Sequence, residues 1–383
     1  MDIIRTTDAL RDFTAALRAQ DYFAIDTEFM RERTYWPILC LIQAAAPGVE
    51  AIIDPLAEDL DLAPLGEALA DPSVVQVFHA ARQDVEIFYR QFEAIPTPLF
   101  DTQIAAMACG FGDQIGYEPL MRKLLGASID KGSRFTDWAR RPLSEAQLAY
   151  ALSDVTHLRE AYPILRERLE NSGRLLWVEE EIAVLDDPSL YYTAPEDAWR
   201  RMKVRGVRPK EIGPLMKLAE WREREAQTRD MPRGRIVKDD ALFEFARLRP
   251  GTPEALARAR SAPNGFERSN AGAAGLEAVA AGAALPRDAL PDLARNENRP
   301  PAPADVVELL KVLLKTQSEA YGVAPKMIAS VADLEALALD DDANVPALKG
   351  WRREVFGDPA IRLKRGEVAL KLKDGAVRIC EAP

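Results

Sequence analysis

A chain of 383 residues that is 48% hydrophobic and 29% charged has material for two or three packed domains and is not globally disordered. No apolar run reaches the roughly 18 residues of a membrane span, and the first residues lack the basic start, apolar centre and small-residue cleavage site of a secretory signal. The three cysteines (Cys40, Cys109, Cys380) form no Cys-x-x-Cys, which excludes a disulfide framework and a cysteine zinc site and fits a reducing cytoplasm. With only His79 and His157 as imidazoles, any metal must be held by carboxylates. The net charge of -11 argues at first sight against a polyanionic partner, but residues 198–238 gather thirteen Lys/Arg against five acids. That stretch reads equally as a polyanion-binding surface or as a solvated helix face.

The chain opens on an amphipathic helix pattern, MDIIRTTDALRDFTAALRAQD. Tyr22–Glu28 then reads as a strand that is apolar and abruptly acidic. Leu39–Ala45 and Glu50–Asp54 read as a hairpin about the turn at Pro47–Gly48. Pro64–Ala70 is a short helix. Val74–Phe78 has the continuous apolar character of a buried central strand and runs into a helix over Ala80–Gln91. A last short strand falls near Leu99–Phe100. Helical patterns follow at Thr102–Cys109, Tyr117–Leu125, Ser144–Leu169 and Leu175–Leu185, with Ser144 and Gln147 spaced as a capping box. Residues 1–190 thus read as an α/β domain.

Beyond about residue 205 the pattern is helical. Pro209–Arg229 is expected to break at Gly213–Pro214, and Asp239–Leu248, Thr252–Ala259 and Ala271–Ala284 follow. Residues 286–304 read as a linker. A second helical unit comprises Asp305–Tyr321, Ala332–Leu339 and Pro346–Phe356, with a hairpin pattern in Gly366–Ile379. Each helical unit carries a Trp-Arg pair, Trp221–Arg222 and Trp351–Arg352, which hints at a diverged duplication.

Three sets of residues can carry chemistry. Asp26 and Glu28 lie two apart at a strand end, so they leave one face. Such a pair suits a hard cation, and equally suits two exposed acids. Asp84 opens a helix after a buried strand, either as a ligand or as an ordinary helix-N-terminal charge. Tyr150 and Asp154, at i and i+4, share a helix face and read as a water-orienting phenol beside a ligand or as a hydrogen-bonded structural pair.

Together, and in this order, Asp26-x-Glu28, Asp84 and Tyr150-x-x-x-Asp154 resemble the DEDD superfamily of 3′–5′ exonucleases. The histidine branch would place His where Ala149 stands, so the tyrosine branch is the match. The stretches FAIDTEFMRERTYWPILCLIQ, VFHAARQDVEIF, FDTQIAAMACGFG and RPLSEAQLAYALSDVTHL are similar to the ribonuclease D family. PLMKLAEWREREAQTRDMPRGRIVKDDALFEFARLRP resembles an HRDC domain, and VVELLKVLLKTQSEAYGVAPKMIASVADLEALA with LKGWRREVFG resembles a more diverged copy.

The resemblance implies an α/β ribonuclease H-like exonuclease domain, a mixed five-stranded sheet with helices, over residues 1–190. Two all-α HRDC domains would follow, at 205–285 and 305–383. It implies a cytoplasmic 3′–5′ exoribonuclease that trims tRNA precursors and other structured RNAs to nucleoside 5′-monophosphates, with two divalent ions, Mg²⁺ or Mn²⁺, and no organic cofactor or membrane. In that scheme Asp26, Glu28, Asp84 and Asp154 are metal ligands and Tyr150 orients the attacking water. Phe29 and Met30 are expected to meet the terminal base or to pack in the core, and Arg233 and Arg235 to meet phosphate. A DNA 3′–5′ exonuclease and a non-catalytic RNA-binding scaffold are the competing readings. Because every strand and metal motif precedes Val155, the exonuclease half is expected to fold without the residues beyond about 205.

Overall fold

The computed structural model describes residues 3–129, 132, 136–204, 206–291 and 300–382. Arg205, the first residue of the expected HRDC boundary, and 292–299 of the expected linker lie outside them. The described chain forms two compact units: residues 1–28, 41–188 and 300–383 in one, and 29–40 with 189–299 in the other.

The first unit is built on a mixed sheet of six strands in the order β1-β4-β3-β2-β5-β6. These are β1 (Ile3–Ile4), β2 (Tyr22–Met30), β3 (Ile38–Ala46), β4 (Val49–Ile53), β5 (Val75–Phe78) and β6 (Leu99–Asp101). The five expected strands are present. The sixth, Ile3–Ile4, pairs in parallel with Ile52–Ile53, and takes residues that the sequence pattern assigned to helix. The helix begins only at Thr7, where the Thr6 hydroxyl caps it. β3 and β4 form the expected antiparallel hairpin; β2, β5 and β6 are parallel, as strands joined through helices must be. Phe23, Ala24, Ile25, Val77 and Phe78 are wholly buried, so the strand that carries the acids is anchored before it reaches them.

Helices α1 (Thr7–Arg18), α2 (Ala63–Leu69), α3 (Arg82–Phe92), α4 (Thr102–Ala108), α5 (Tyr117–Leu125), α6 (Glu145–Ser172) and α7 (Leu175–Ile182) flank the sheet. The Ser144–Gln147 capping box starts α6 as its spacing requires. Residues 300–383 do not stand apart from this unit. Val307, Leu310, Met327, Ile328, Trp351 and Phe356 belong to one continuous core with Ala105, Leu165, Val178 and Ile182. Trp177 and Trp351 stack at 4.1 Å with planes 7° apart, and Ala324 N donates to Met107 O at 2.9 Å. Gly110, at φ +77°, leaves no room for a side chain: a Cβ there would sit 2.6 Å from the Gly322 carbonyl oxygen. This shared core counts against the expectation that the exonuclease half folds without its C-terminal residues.

The second unit packs α8 (Pro209–Thr228) with α9 (Arg233–Ile236), α10 (Asp239–Leu248), α11 (Pro253–Leu256) and α12 (Asn270–Ala283). α8 runs through Gly213–Pro214 without the expected break. Gly213 is small for a packing reason, since a Cβ there would lie 2.3 Å from the Gly282 carbonyl oxygen of α12. A long, a four-residue and a medium helix (α8, α9, α10) recur in the first unit as α13 (Ala304–Tyr321), α14 (Pro325–Ile328) and α15 (Val331–Leu339). The Trp-Arg pairs do not follow this repeat, because Trp221 lies on the long helix and Trp351 on a later one. Val368–Lys373 and Ala376–Glu381 close the chain as a hairpin about Asp374–Gly375, both with φ positive. Among the described residues no helix is long and apolar enough to cross a membrane.

Candidate active site

A cavity of about 260 Å³ opens beside the end of β2, lined by Asp26, His79, Tyr117, Tyr150 and Asp154, with Gly116, Glu118 and Pro119 at the start of α5. Residues 128 positions apart in sequence meet there because β2 ends at the cavity and α6 passes it. Asp84 is buried in the first turn of α3 and accepts a hydrogen bond from Thr27 Oγ1 at 2.5 Å. Thr27, between Asp26 and Glu28, thereby ties Asp84 to the acid-bearing strand. Glu28, half-buried on β2, shares the face of Asp26 by strand alternation and is not among the residues lining the cavity. Phe29 and Met30 end β2 half-buried.

The electrostatics of the acids are unfavourable as they stand. Loss of hydration pushes the Asp26 carboxyl up to about 6, against a hydrogen bond from the Thr27 backbone. Burial, then the charge of Asp26, raises Asp84 well above the carboxylate range, and Asp101 adds to this. Among the described residues no three His, Cys, Asp or Glu side chains close on one point. Yet half-buried Asp26 and buried Asp84, mutually repelling and beside a third carboxylate at Asp154, are an oxygen-only donor set that a divalent cation relieves. The residues therefore fit such an ion.

The surrounding groups are positional, and several escaped the sequence reading. Tyr117 donates to the Ser153 carbonyl at 3.1 Å and to that of Asp154, holding the turn of α6 that carries Asp154. Burial and the charges of Asp154 and Asp26 raise its pKa. Trp138 stacks on Tyr150 at 6.2 Å. Arg141 anchors the approach to α6 through a fork onto buried Asp54, at 2.6 and 3.0 Å. Asp101 caps α4 and also accepts from the backbone of Ala80 (3.0 Å) and Ala81 (2.9 Å). It thus stabilises Ala80 at φ +59°, an uncommon conformation for a non-glycine residue, and sets where α3 and Asp84 begin. The Asp-Thr pair before an apolar helix is a legible cap; its reach back to residues 80–81 is not. His79 Nδ1 lies 3.0 Å from Thr102 Oγ1, and His157 Nδ1 2.7 Å from the Ser153 carbonyl within its own helix.

The basic stretch looks different in three dimensions. Arg200, Arg208, Lys217, Arg224 and Arg229 pair with acids close in sequence, and buried Arg222 pairs with Asp239 and donates to Val237 O. Arg233, expected at phosphate, instead commits its guanidinium to Glu223 through two bonds of 2.6 Å. Lys203, Lys210, Arg235 and Lys238 are exposed.

A 3′–5′ exonuclease family model matches residues 1–170, and an HRDC domain model matches residues 215–268. Ribonuclease D of Granulibacter bethesdensis is 50% identical over 379 residues, 98% of this chain and 96% of that protein. The chain belongs to the ribonuclease D family. Ribonuclease D of Gluconacetobacter diazotrophicus is 51% identical, over 96% of this chain and 94% of that one. The crystal structure of Escherichia coli RNase D, described as an exoribonuclease involved in structured RNA processing, superposes with a TM-score of 0.84. It is 33% identical over 95% of this chain and 98% of its own. As a member of this family, the protein is a 3′–5′ exoribonuclease, and its substrate class is RNA.

Proposed function

We propose that the protein trims the 3′ ends of structured RNA precursors, tRNA precursors first, one nucleoside 5′-monophosphate at a time. Asp26, Glu28, Asp84 and Asp154 would hold two divalent ions, Mg²⁺ or Mn²⁺. The observation that carries this reading is the convergence of Asp26, Tyr150 and Asp154 on one cavity, with buried Asp84 near enough to Asp26 for their charges to oppose each other. The ions, when bound, neutralise the scissile phosphate, activate water and stabilise the departing 3′ oxygen.

The chain's own residues supply the rest. Tyr150, braced by Trp138, orients the attacking water through its hydroxyl, a hydrogen-bonding role rather than full proton abstraction. Water adds to phosphorus as the P–O3′ bond breaks, giving the 5′-monophosphate and a new 3′ hydroxyl. Phe29 and Met30 would stack on or pack against the terminal base. In the HRDC region Arg235, not Arg233, remains the candidate for phosphate contact. The repeated long–short–medium helix order supports reading 305–383 as a diverged second HRDC-like domain, and 205–285 as the first.

The deciding experiment incubates a 3′-extended tRNA and a single-stranded DNA with Mg²⁺, Mn²⁺ or EDTA. Metal-dependent laddering from the RNA 3′ end is expected; laddering of DNA alone would overturn the substrate assignment. In the same assay Tyr150→Phe is expected to slow cleavage about ten- to a hundredfold. Asp154→Asn should cost at least tenfold more, since it removes a ligand rather than a water-orienting group. Equal losses would give Tyr150 a larger chemical role.

A further inference from the structure

Tyr35 and Trp36 lie in MRERTYWPIL, between β2 and β3, and their partners are far away in sequence. The Tyr35 hydroxyl donates to Glu223 Oε1, 188 residues on. Arg233 grips the same carboxylate from Nε and Nη2, at 2.6 Å each. Its Nη2 also lies 2.8 Å from Tyr35 Oη, and its guanidinium sits 4.7 Å over the Tyr35 ring. Gln227 adds a donor to Tyr35 Oη at 3.2 Å. Asp230, at φ +47°, accepts from the backbone N–H of Tyr35 at 3.1 Å and of Trp36 at 2.9 Å.

This is an expensive arrangement. Glu223 is 1% and Tyr35 7% exposed, and burying a carboxylate is tolerable only when its partners are complete. The network ties α8 to α9 through Glu223 and Arg233, but the helices of the unit pack mainly elsewhere. Their core (Leu215, Leu218, Leu242, Phe245, Phe266) is one cluster, whereas Tyr35, Ala226 and Ile236 form a separate small one. What the network does hold is the segment leaving β2, an unbroken strand from Tyr22 to Met30.

We propose that the Tyr35–Glu223–Arg233 network is a positioning device for the residues assigned to the terminal base: the first HRDC region grips the segment that leaves β2, fixes the strand end bearing Phe29 and Met30, and so sets how the 3′-terminal nucleotide is held. The three are positioning residues, acting through that strand end, and the inference rests on the site assignment proposed above. Small displacements of a reacting group cost far more in rate than in stability, which is where a positioning role and a merely structural one part.

The test uses the full chain and a short unstructured RNA, with Mg²⁺, well below the melting temperature. Glu223→Gln keeps the shape and removes the charge that both Tyr35 and Arg233 address. It is expected to lower kcat/KM about ten- to a hundredfold, mainly through KM, with faster amide exchange in residues 31–37. Arg233→Lys keeps the charge and loses the fork, so an intermediate loss is expected. Leu256→Ala destabilises the same helical unit away from the network and is expected to leave the kinetics unchanged. Wild-type kinetics in Glu223→Gln, or an equal loss in Leu256→Ala, would overturn the proposal. If Glu223→Gln does not fold, Tyr35→Phe removes one hydroxyl only. A smaller loss in the same direction is then expected, and unchanged KM would overturn it. A wild-type protein that leaves RNA intact would instead overturn the site assignment itself, a result distinguishable from all of these.

Discussion

Asp26→Asn is expected to leave the fold intact and to lower exonuclease activity at least about a thousandfold, because divalent ions are asked to supply several kcal/mol of the barrier reduction. The same substitution should raise the melting temperature of the metal-free protein. Asp26 is held up to about 6 by burial, above an unfolded carboxyl near 3.9. The folded state therefore binds this proton more tightly than the unfolded one. Stability from this group is present at low pH and is lost as pH rises from about 4 through about 6. Asp84, raised by burial and by Asp26, acts in the same sense. Metal-free wild type should thus melt lower at pH 7 than at pH 5 by more than Asp26→Asn does, and Mg²⁺ or Mn²⁺ should raise the wild-type melting temperature selectively. Thermal melts at two pH values with and without metal check this, beside an RNA cleavage assay. Activity within about tenfold of wild type would sink the assignment of Asp26 as a ligand, that threshold being only about 1.4 kcal/mol.

Truncation after residue 204 is expected to give an insoluble or non-cooperatively melting protein. The cut removes Val307, Leu310, Met327, Ile328, Trp351 and Phe356 from a core they share with Ala105, Leu165, Val178 and Ile182. Each large apolar side chain buried is worth about 1.5–3 kcal/mol, so the loss of these six alone is comparable to the roughly 5–15 kcal/mol by which a folded domain is stable. Trp177 would lose its stacking partner, and Tyr35 the carboxylate it addresses. A sharp melt of residues 1–204 near the full-length temperature, followed by circular dichroism, would show that the catalytic sheet stands without the C-terminal helices.

Local signals in the sequence carried the element-level reading a long way. The Pro47–Gly48 turn placed the β3–β4 hairpin, Ser144 and Gln147 placed the start of α6, and alternation in Gly366–Ile379 placed the last hairpin; each is decided by neighbours within a few residues. Strand alternation and helical pitch put Asp26 with Glu28 and Tyr150 with Asp154 on shared faces, and the resemblance to the DEDD exonucleases singled these out together with Asp84. Where a short-range signal was ambiguous the partner decided. Ile3–Ile4 became a strand because β4 offered it an open edge, and α8 stayed whole across Gly213–Pro214 because α12 needed the space.

Other features were beyond any local reading. Composition counts charges but not their partners, so the excess of basic residues at 198–238 did not show that Arg222 and Arg233 are consumed by Asp239 and Glu223. Trp138 against Tyr150, Asp101 beneath Ala80, and residues 300–383 completing the core of the catalytic unit all join segments whose spacing follows no period. By itself the sequence determined which groups could do the chemistry, because residue type and helical or strand period are local properties. Tertiary structure alone decided which groups meet, which charges are already spent and which segments depend on one another, because those outcomes depend on long-range burial and on completing the hydrogen bonds of whatever is buried.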